Sequence, residues 1–369
     1  MCSSYGKKIL LVTGQSVLQR SGRLEQLFDE FRRLGMHCTH LAVDREPSPE
    51  LIDRSVGEYR ELGIDVVASV GGGSVLDAGK AVSAMLRHQH SVERFIEGQT
   101  GFMVHDGRKV PFIAVPTTSG TGSEVTNNAV ISRVGPGGYK RSLRHPAFVP
   151  DIALLDPELM VSVSPELTAA SGMDACTQLL EAALSPLASP YTDAVAFSGL
   201  ERFSRSFIAA CGDGASDLSV RADIAYGALM SGIALVNAGL GIVHGFASSV
   251  GGLFDIPHGT LCATLLAEAT RENIRQLELT SDAAAQPALW KFAKAGELLS
   301  GRPSATVHDG CRQLIDTLFE WQESLRFPRL GAYGIRAEHL DAIVAITRSK
   351  TNPVPLDPAS LKYILTSRL

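Results

Sequence analysis

The chain has little of what would mark it for nucleic acid, for a membrane or for an oxidising compartment. Of its 369 residues, 34 are Lys or Arg and 39 are Asp or Glu, a formal net charge of −5. With no basic excess and no block of like charge, a nucleic-acid partner and a charged interaction tail are not expected. The apolar run near the start, residues 9–12 of "MCSSYGKKILLVTG", is far too short for a signal sequence or a membrane span. No membrane association is expected. The six cysteines (Cys2, Cys38, Cys176, Cys211, Cys262 and Cys311) include no CxxC pair. They read as reduced, mostly buried thiols of a cytoplasmic protein, not as a zinc ribbon. Internal repeats and low-complexity linkers are missing, and neither G-x-G-x-x-G nor a Walker A sequence occurs.

What is there is a globular composition, 45% apolar and 20% charged, in a chain long enough for two domains. The first half alternates short apolar runs with helical patterns. "KILLVTG", "CTHLAVD", "DVVASVGGG" and "VPFIAVP" read as strands; "RLEQLFDEFRRLG" carries a helical stripe, and "SPELIDRSVGEYRELG" opens on Ser48 as N-cap with Pro49 in the first turn. Such alternation predicts βαβ units in a parallel sheet, and near-continuous apolar strands predict cover on both faces. From "SPELTAASGMDACTQLLEAAL" onward the pattern is helical. The expected organisation is an α/β dinucleotide-binding domain over residues 1–160 and an all-α domain over 161–369, with a ligand cleft between them.

Two small-residue loops follow predicted strands. In "GGGSVLDAGK" (71–80), Gly71, Gly72 and Gly73 let backbone approach a ligand, Ser74 adds a hydroxyl, and Asp77 falls in the first turn of the next helix. In "PTTSGTGSE" (116–124), Thr117, Thr118 and Thr121 supply further hydroxyls. Each loop alone reads equally as a plain turn. Together, at the C-terminal ends of neighbouring strands, they suit one long phosphorylated ligand, best a dinucleotide. The turn after the first strand, "TGQSVLQR" (13–20), holds no acid to read a ribose 2′-hydroxyl. Gly14, Gln15, Ser16 and Arg20 stand there instead, which predicts that NADPH is accepted and favoured over NADH. Lys140, with Arg141 and Arg144 in "GYKRSLRHP", is a candidate anion contact for cofactor or substrate; a solvated basic turn fits as well.

Of the ten histidines, His37, His40, His88 and His90 read as surface or helix-end residues. His244 and His258 lie in an apolar, Gly-rich segment where ring nitrogens need partners. Asp174 lies in the apolar "GMDACTQLL", with Gln178 one helical turn on. Two imidazoles and a carboxylate are ordinary ligands of a catalytic divalent ion, and Gln178 could add an amide oxygen.

These motifs together resemble the iron-containing (group III) alcohol dehydrogenases. The resemblance runs through GGGSVLDAGK, PTTSGTGSEVT, "PDIALLDP" (150–157), "SGMDACTQLLEA" and "VHGFASSVGGLFDIPHG". It implies a dehydroquinate-synthase-like N-terminal domain, a helical C-terminal domain, NADPH or NADH, and Fe²⁺ or Zn²⁺ held by Asp174, Gln178, His244 and His258. Family members use one Asp and three His, so Gln178 stands where a histidine is expected. Ser248 stands where a further histidine near the nicotinamide is common, and Gly14 stands where NAD-preferring members carry an Asp. The chain also starts almost at the first strand, where family members usually carry an extra segment. The implied reaction is reversible hydride transfer between nicotinamide and a small alcohol or aldehyde, with Asp174, His244, His258 and Ser248 as the catalytic set. For the proton on the product, Ser248, a ribose hydroxyl, water and His145 are the candidates. A homo-oligomer is implied. The rival expectations are a dehydroquinate-synthase-like lyase that uses NAD transiently, and a metal-free dinucleotide-binding protein that has lost catalysis.

Overall fold

The computed structural model describes residues 1–15, 18, 22–280 and 285–369. Ser16 and Arg20, both expected near the cofactor, lie outside the described residues. The chain forms two units. The first comprises residues 1–118, 123–133 and 140–162, and the second 119–122, 134–139 and 163–369. Two short segments of the N-terminal half thus group with the helices. Close packing inside the second unit explains one of them: a Cβ on Gly122 would come within 2.5 Å of Gly232 Cα, and one on Gly120 within 2.8 Å of Ser171 Cβ.

In the first unit the elements run β1 (Lys8–Gly14), α1 (Arg23–Arg33), β2 (His37–Val43), α2 (Pro49–Tyr59), β3 (Val66–Gly71), α3 (Gly73–Met85), β4 (Phe112–Pro116), β5 (Asn128–Arg133), β6 (Tyr139–Arg144) and β7 (Ile152–Ala153). Five strands form one parallel sheet in the order β2-β1-β3-β4-β7. Ile9, Leu10, Val12, Val66 and Val67 are fully buried on successive positions, as a sheet covered on both faces requires. Ser48 caps α2 as expected, accepting from Leu51 N–H at 3.2 Å. The chain leaves β1 in one direction to β2 and returns beside β1 at β3, so the order reverses between β1 and β3. Ligands of such sheets bind beyond the strand C-termini at this point.

The basic segment "GYKRSLRHP" is not a solvated turn. It is strand β6, paired with β5. Its alternation is masked because Lys140 is buried and its Nζ pairs with Glu46.

One cation organises the chain after β4. Lys80 of α3 is 1% exposed and donates to Ser123 O (2.7 Å), Ser123 Oγ (3.1 Å), Thr126 O (3.0 Å), Thr126 Oγ1 (3.0 Å) and Asn128 O (2.9 Å). Asp77, one turn earlier, accepts from Ser123 Oγ (2.5 Å) and Val130 N–H (3.0 Å). Both carboxylate oxygens are thus engaged by donors of the protein itself. Gly79 admits α3 against the sheet; a Cβ there would sit 1.9 Å from Ser69 Oγ.

The second unit runs α4 (Pro165–Leu184), α5 (Pro190–Ala210), α6 (Leu218–Ala238), α7 (Ile242–Leu253), α8 (His258–Leu279), α9 (Gln286–Ser300), α10 (Val307–Ser324), α11 (Leu340–Ile346) and α12 (Pro358–Thr366). Ser164, Ser189, Asp217, Thr306 and Asp357 cap α4, α5, α6, α10 and α12 with side-chain oxygens. Helix α6 is long and apolar enough to cross a membrane by length and composition, and here it packs against α4 and α5 within the bundle.

Glu124, 3% exposed, supplies a pH test of the first unit. Burial raises its pKa to about 7 from 4.5, against the smaller opposing effects of a backbone hydrogen bond and the Lys80 charge. The folded chain then binds the extra proton between about pH 4.5 and 7, so this group's contribution to stability falls as pH rises through that window. Urea unfolding at about pH 5 and 8 should show Glu124→Gln gaining on the wild type by roughly 2–3 kcal/mol at the higher pH. A pH-independent difference would remove Glu124 as the cause.

Candidate metal centre and cofactor loops

Asp174, Gln178 and Glu181 share one face of α4 at i, i+4 and i+7. All three are buried, at 1%, 3% and 7% exposure. A helix this apolar can bury polar groups only where neighbours satisfy them. The partners differ for each residue.

Glu181 is satisfied by α7. Its Oε1 accepts from Val243 N–H (2.7 Å), and its Oε2 pairs with His244 Nδ1 (2.7 Å). The carboxylate thus accepts a hydrogen bond from Nδ1–H and leaves Nε2 facing the other way, the usual arrangement behind a metal-binding imidazole. Sequence reasoning missed Glu181; its i+7 spacing from Asp174 was the available signal.

His244 Nε2 lies 3.3 Å from Asp174 Oδ1. His258, the first residue of α8, places its Nε2 3.4 Å from the same oxygen. Gly259 lets α8 begin this close to α4, since a Cβ there would stand 2.4 Å from Ala170 O. A fourth atom joins them: Cys262 Sγ, one turn along α8, is 4.0 Å from each of the two Nε2 atoms. The ligand atoms of Asp174, His244, His258 and Cys262 all lie within 4.8 Å of one another. Cys262 was also missed, because it reads as one buried thiol among several; its i+4 spacing from His258 was the signal.

The charges in this cluster are mutually dependent. Burial alone would raise the Asp174 pKa, but His258 and then His244 reverse this and hold the carboxyl far below the usual carboxylate range. Burial would depress His244; Cys262 and Glu181 outweigh it and raise the imidazole well above its ordinary value. Burial would likewise raise the Cys262 thiol, and the charges of His258 and His244 pull it below its ordinary value. Asp174 Oδ1 is nevertheless buried and receives no hydrogen bond. An orphaned carboxylate oxygen facing two imidazole nitrogens and a thiol fits a divalent cation.

Two expected site residues are turned elsewhere. Gln178 Oε1 accepts from Ser231 Oγ of α6 at 2.6 Å. Ser248 Oγ donates to His244 O one turn back at 3.0 Å, so its proton is used within its own helix.

In the first unit, β1 ends at Gly14 and β3 at Gly71, the two strands that flank the reversal of strand order. A Cβ on Gly71 would stand 2.6 Å from Val75 Cβ, so this turn admits only glycine. Gly72 is the N-cap of α3 and has no side chain to occupy the first-turn N–H groups of Gly73 and Ser74. Thr117 N–H donates to Gly71 O (2.9 Å), which sets the second loop beside the first, with Thr117 and Thr118 half-buried there. Thr121 belongs to the second unit.

His88 is also not a surface residue. It is buried, its ring 4.0 Å from that of His105, with Nε2 3.0 Å from Asp106 Oδ1. His105 Nδ1 accepts from Gly107 N–H (2.9 Å) while its Nε2 is buried without a hydrogen-bond partner, so the three side chains form a second, smaller cluster of possible metal-ligand atoms.

Glu181→Gln keeps the size of the side chain and loses the charge that orients His244. It should weaken divalent-metal affinity by ~10–100-fold with an unchanged circular dichroism spectrum, read by competition with a chromophoric chelator. Unchanged affinity would show that Glu181 does not act through His244.

Two family models match the chain: "Iron-containing alcohol dehydrogenase" over residues 1–157 and "Fe-containing alcohol dehydrogenase family, C-terminal" over residues 168–369. Long-chain-alcohol dehydrogenase 1 of Geobacillus thermodenitrificans is 38% identical over 263 residues, 71% of this chain and 65% of that protein, just under two thirds of its length. NADPH-dependent butanol dehydrogenase of Clostridium saccharobutylicum is 30% identical over 376 residues, 97% of this chain and 91% of that protein. Among solved structures, a 1,3-propanediol oxidoreductase matches with a TM-score of 0.86 at 28% identity, covering 98% of this chain and 92% of that one.

Proposed function

The chain belongs to the iron-containing alcohol dehydrogenases, a family of alcohol oxidoreductases that implies NAD(P)H and a divalent metal, and from that premise we propose that it is a metal-dependent, NADPH-favouring alcohol dehydrogenase and aldehyde reductase. The observation that carries the metal dependence is the buried Asp174 Oδ1, without a hydrogen bond, between His244 and His258. A divalent ion at this position supplies Lewis-acid polarisation of a carbonyl oxygen.

The chain's own residues do the rest. Asp174, His244 and His258 hold the cation, and Glu181 fixes the His244 ring. The α3 N-terminus at Gly72–Ser74 binds the pyrophosphate, and the backbone of Gly71 permits its approach. Thr117 and Thr118 present hydroxyls to the same ligand. Gly14 leaves room and no negative charge where a ribose 2′-phosphate would lie. Because Ser248 donates within its helix, the proton on the product comes from the cofactor ribose, water or another side chain.

Two rivals are weaker. A lyase of the dehydroquinate-synthase type is not favoured, because the family models and the named relatives are dehydrogenases. A metal-free binding protein leaves the Asp174 oxygen without a reason. The relatives are named for long-chain alcohol, butanol and 1,3-propanediol, so the substrate is proposed only as an alcohol or aldehyde. A cytoplasmic location, in keeping with six free cysteines, and a homo-oligomeric state belong to the same proposal.

The test is an aldehyde panel run with NADPH and with NADH, on metal-loaded and chelator-treated protein. NADPH should be used about tenfold better by kcat/KM, and chelation should abolish turnover. Gly14→Asp should invert the preference by adding a carboxylate against the 2′-phosphate; its Cβ would meet only Val75 Cγ2, at 3.8 Å. Absence of net NAD(P)H consumption with every aldehyde would defeat the dehydrogenase reading, and a strong wild-type preference for NADH would defeat the role of Gly14.

A further inference from the structure

Gln178 sits at the position from which α4 would offer a fourth donor to the cation, yet its Oε1 is turned to Ser231 at 2.6 Å. The donor that does reach the cluster is on another helix. Cys262 is 0% exposed, and its Sγ stands 4.0 Å from His244 Nε2 and 4.0 Å from His258 Nε2. The corresponding spacings from Asp174 Oδ1 to the two nitrogens are 3.3 and 3.4 Å.

These spacings have a simple geometric meaning. Around a tetrahedral ion with bonds of about 2.0 Å to nitrogen or oxygen and about 2.3 Å to sulfur, donors stand roughly 3.3 Å apart along nitrogen or oxygen edges and roughly 3.5 Å apart along edges to sulfur. The oxygen edges of 3.3 and 3.4 Å match, and the sulfur edges of 4.0 Å keep the same order but are about 0.5 Å longer, so closing on an ion draws Cys262 inward. The sulfur contacts are within reach of weak S–H···N hydrogen bonds, but the oxygen is not served in that way: Asp174 Oδ1 is buried with no hydrogen-bond partner, although two imidazole nitrogens face it.

We propose that Cys262, and not Gln178, is the fourth protein ligand of the cation, which makes this an Asp–His–His–Cys site. A thiolate is a soft donor, so the set favours zinc over iron more than a carboxylate with only nitrogen and oxygen partners would. Gln178 then has a separate role. Through Ser231 it links α4 to α6 behind the site and contributes no bond to the ion. His258 is the most open of the four, its side chain 24% exposed, and marks the side from which ion and substrate enter. The proposal rests on the metal-dependent reading above and assigns its ligands.

The experiment uses the full-length protein stripped of metal and reloaded with Co²⁺ or Zn²⁺. Wild-type protein with Co²⁺ should show a near-ultraviolet thiolate-to-cobalt charge-transfer band together with visible bands of tetrahedral intensity. With Zn²⁺, X-ray absorption should report one sulfur at about 2.3 Å. Both measurements need no variant, so they stand even if substitutions in this core fail to fold. Cys262→Ser should lose the charge-transfer band and bind Zn²⁺ about a hundredfold more weakly, while Gln178→Ala should keep the band and bind Zn²⁺ within about twofold of wild type. The proposal is overturned if wild-type protein shows no sulfur ligand, if the band survives Cys262→Ser, or if Gln178→Ala weakens Zn²⁺ as much as Cys262→Ser does. Metal bound through nitrogen and oxygen alone would overturn this assignment and leave the function standing. No divalent-metal binding at all would overturn both.

Discussion

The candidate metal centre depends on one carboxylate. Glu181 bonds the His244 ring and the backbone N–H of Val243 at once, so a single side chain on α4 fixes both the tautomer of an imidazole and the start of the helix that carries it. Without that anion, Nδ1 of His244 would be a buried donor with no acceptor, and the direction of Nε2 would be unspecified. Gly241 makes the approach possible, since a Cβ there would sit 2.9 Å from Glu181 Oε1. Two physical needs, a satisfied helix N-terminus and an oriented ring, are thus met by the same group.

The first unit uses the opposite sign for a similar purpose. There the buried group is a cation, Lys80, whose five hydrogen-bond contacts fix the segment from Ser123 to Asn128. Burial lowers its pKa to about 8, more than the nearby Asp77 and Glu124 charges restore. A charge held under that strain stays inside because several oxygens at hydrogen-bond distance replace its water shell. The ends of the second cofactor loop are therefore set from α3, the helix whose N-terminus forms the first loop. One helix positions both halves of the proposed dinucleotide site, and Asp77 and Lys80 act as its anchors.

Much of this was legible in the sequence. Strand–helix alternation predicted the parallel sheet, and the runs on β1 and β3 predicted cover on both faces. Ser48 and Pro49 announced the start of α2, and Asp174, His244 and His258 announced three members of the cluster. Other features were hidden for identifiable reasons. Strand β6 looked like a basic turn because a buried ion pair to Glu46 places Lys140 where an apolar residue would normally reveal a strand. Asp77 looked like a ligand for phosphate because its inward partners, Ser123 and Val130, are about 50 residues away in sequence. His88 looked exposed because its partners, His105 and Asp106, come from a separate loop.

The sharpest contrast lies between two pairs with the same spacing. Asp174 and Gln178 stand one turn apart on α4, and His258 and Cys262 stand one turn apart on α8. Helical periodicity treats the two pairs alike, since each could aim two donors at one point. What separates them is the element opposite. Gln178 meets Ser231 of α6, a partner that satisfies its amide oxygen at hydrogen-bond distance. Cys262 meets the two imidazole nitrogens and lies within 4.8 Å of the Asp174 carboxylate oxygen. Gln178 has a neutral partner within hydrogen-bond distance, whereas the buried Asp174 carboxylate must be balanced by imidazole charge or by an ion in its place. The identity of a ligand is therefore set by which neighbour leaves a donor unsatisfied, and that is a property of helix packing that spacing along one helix does not encode.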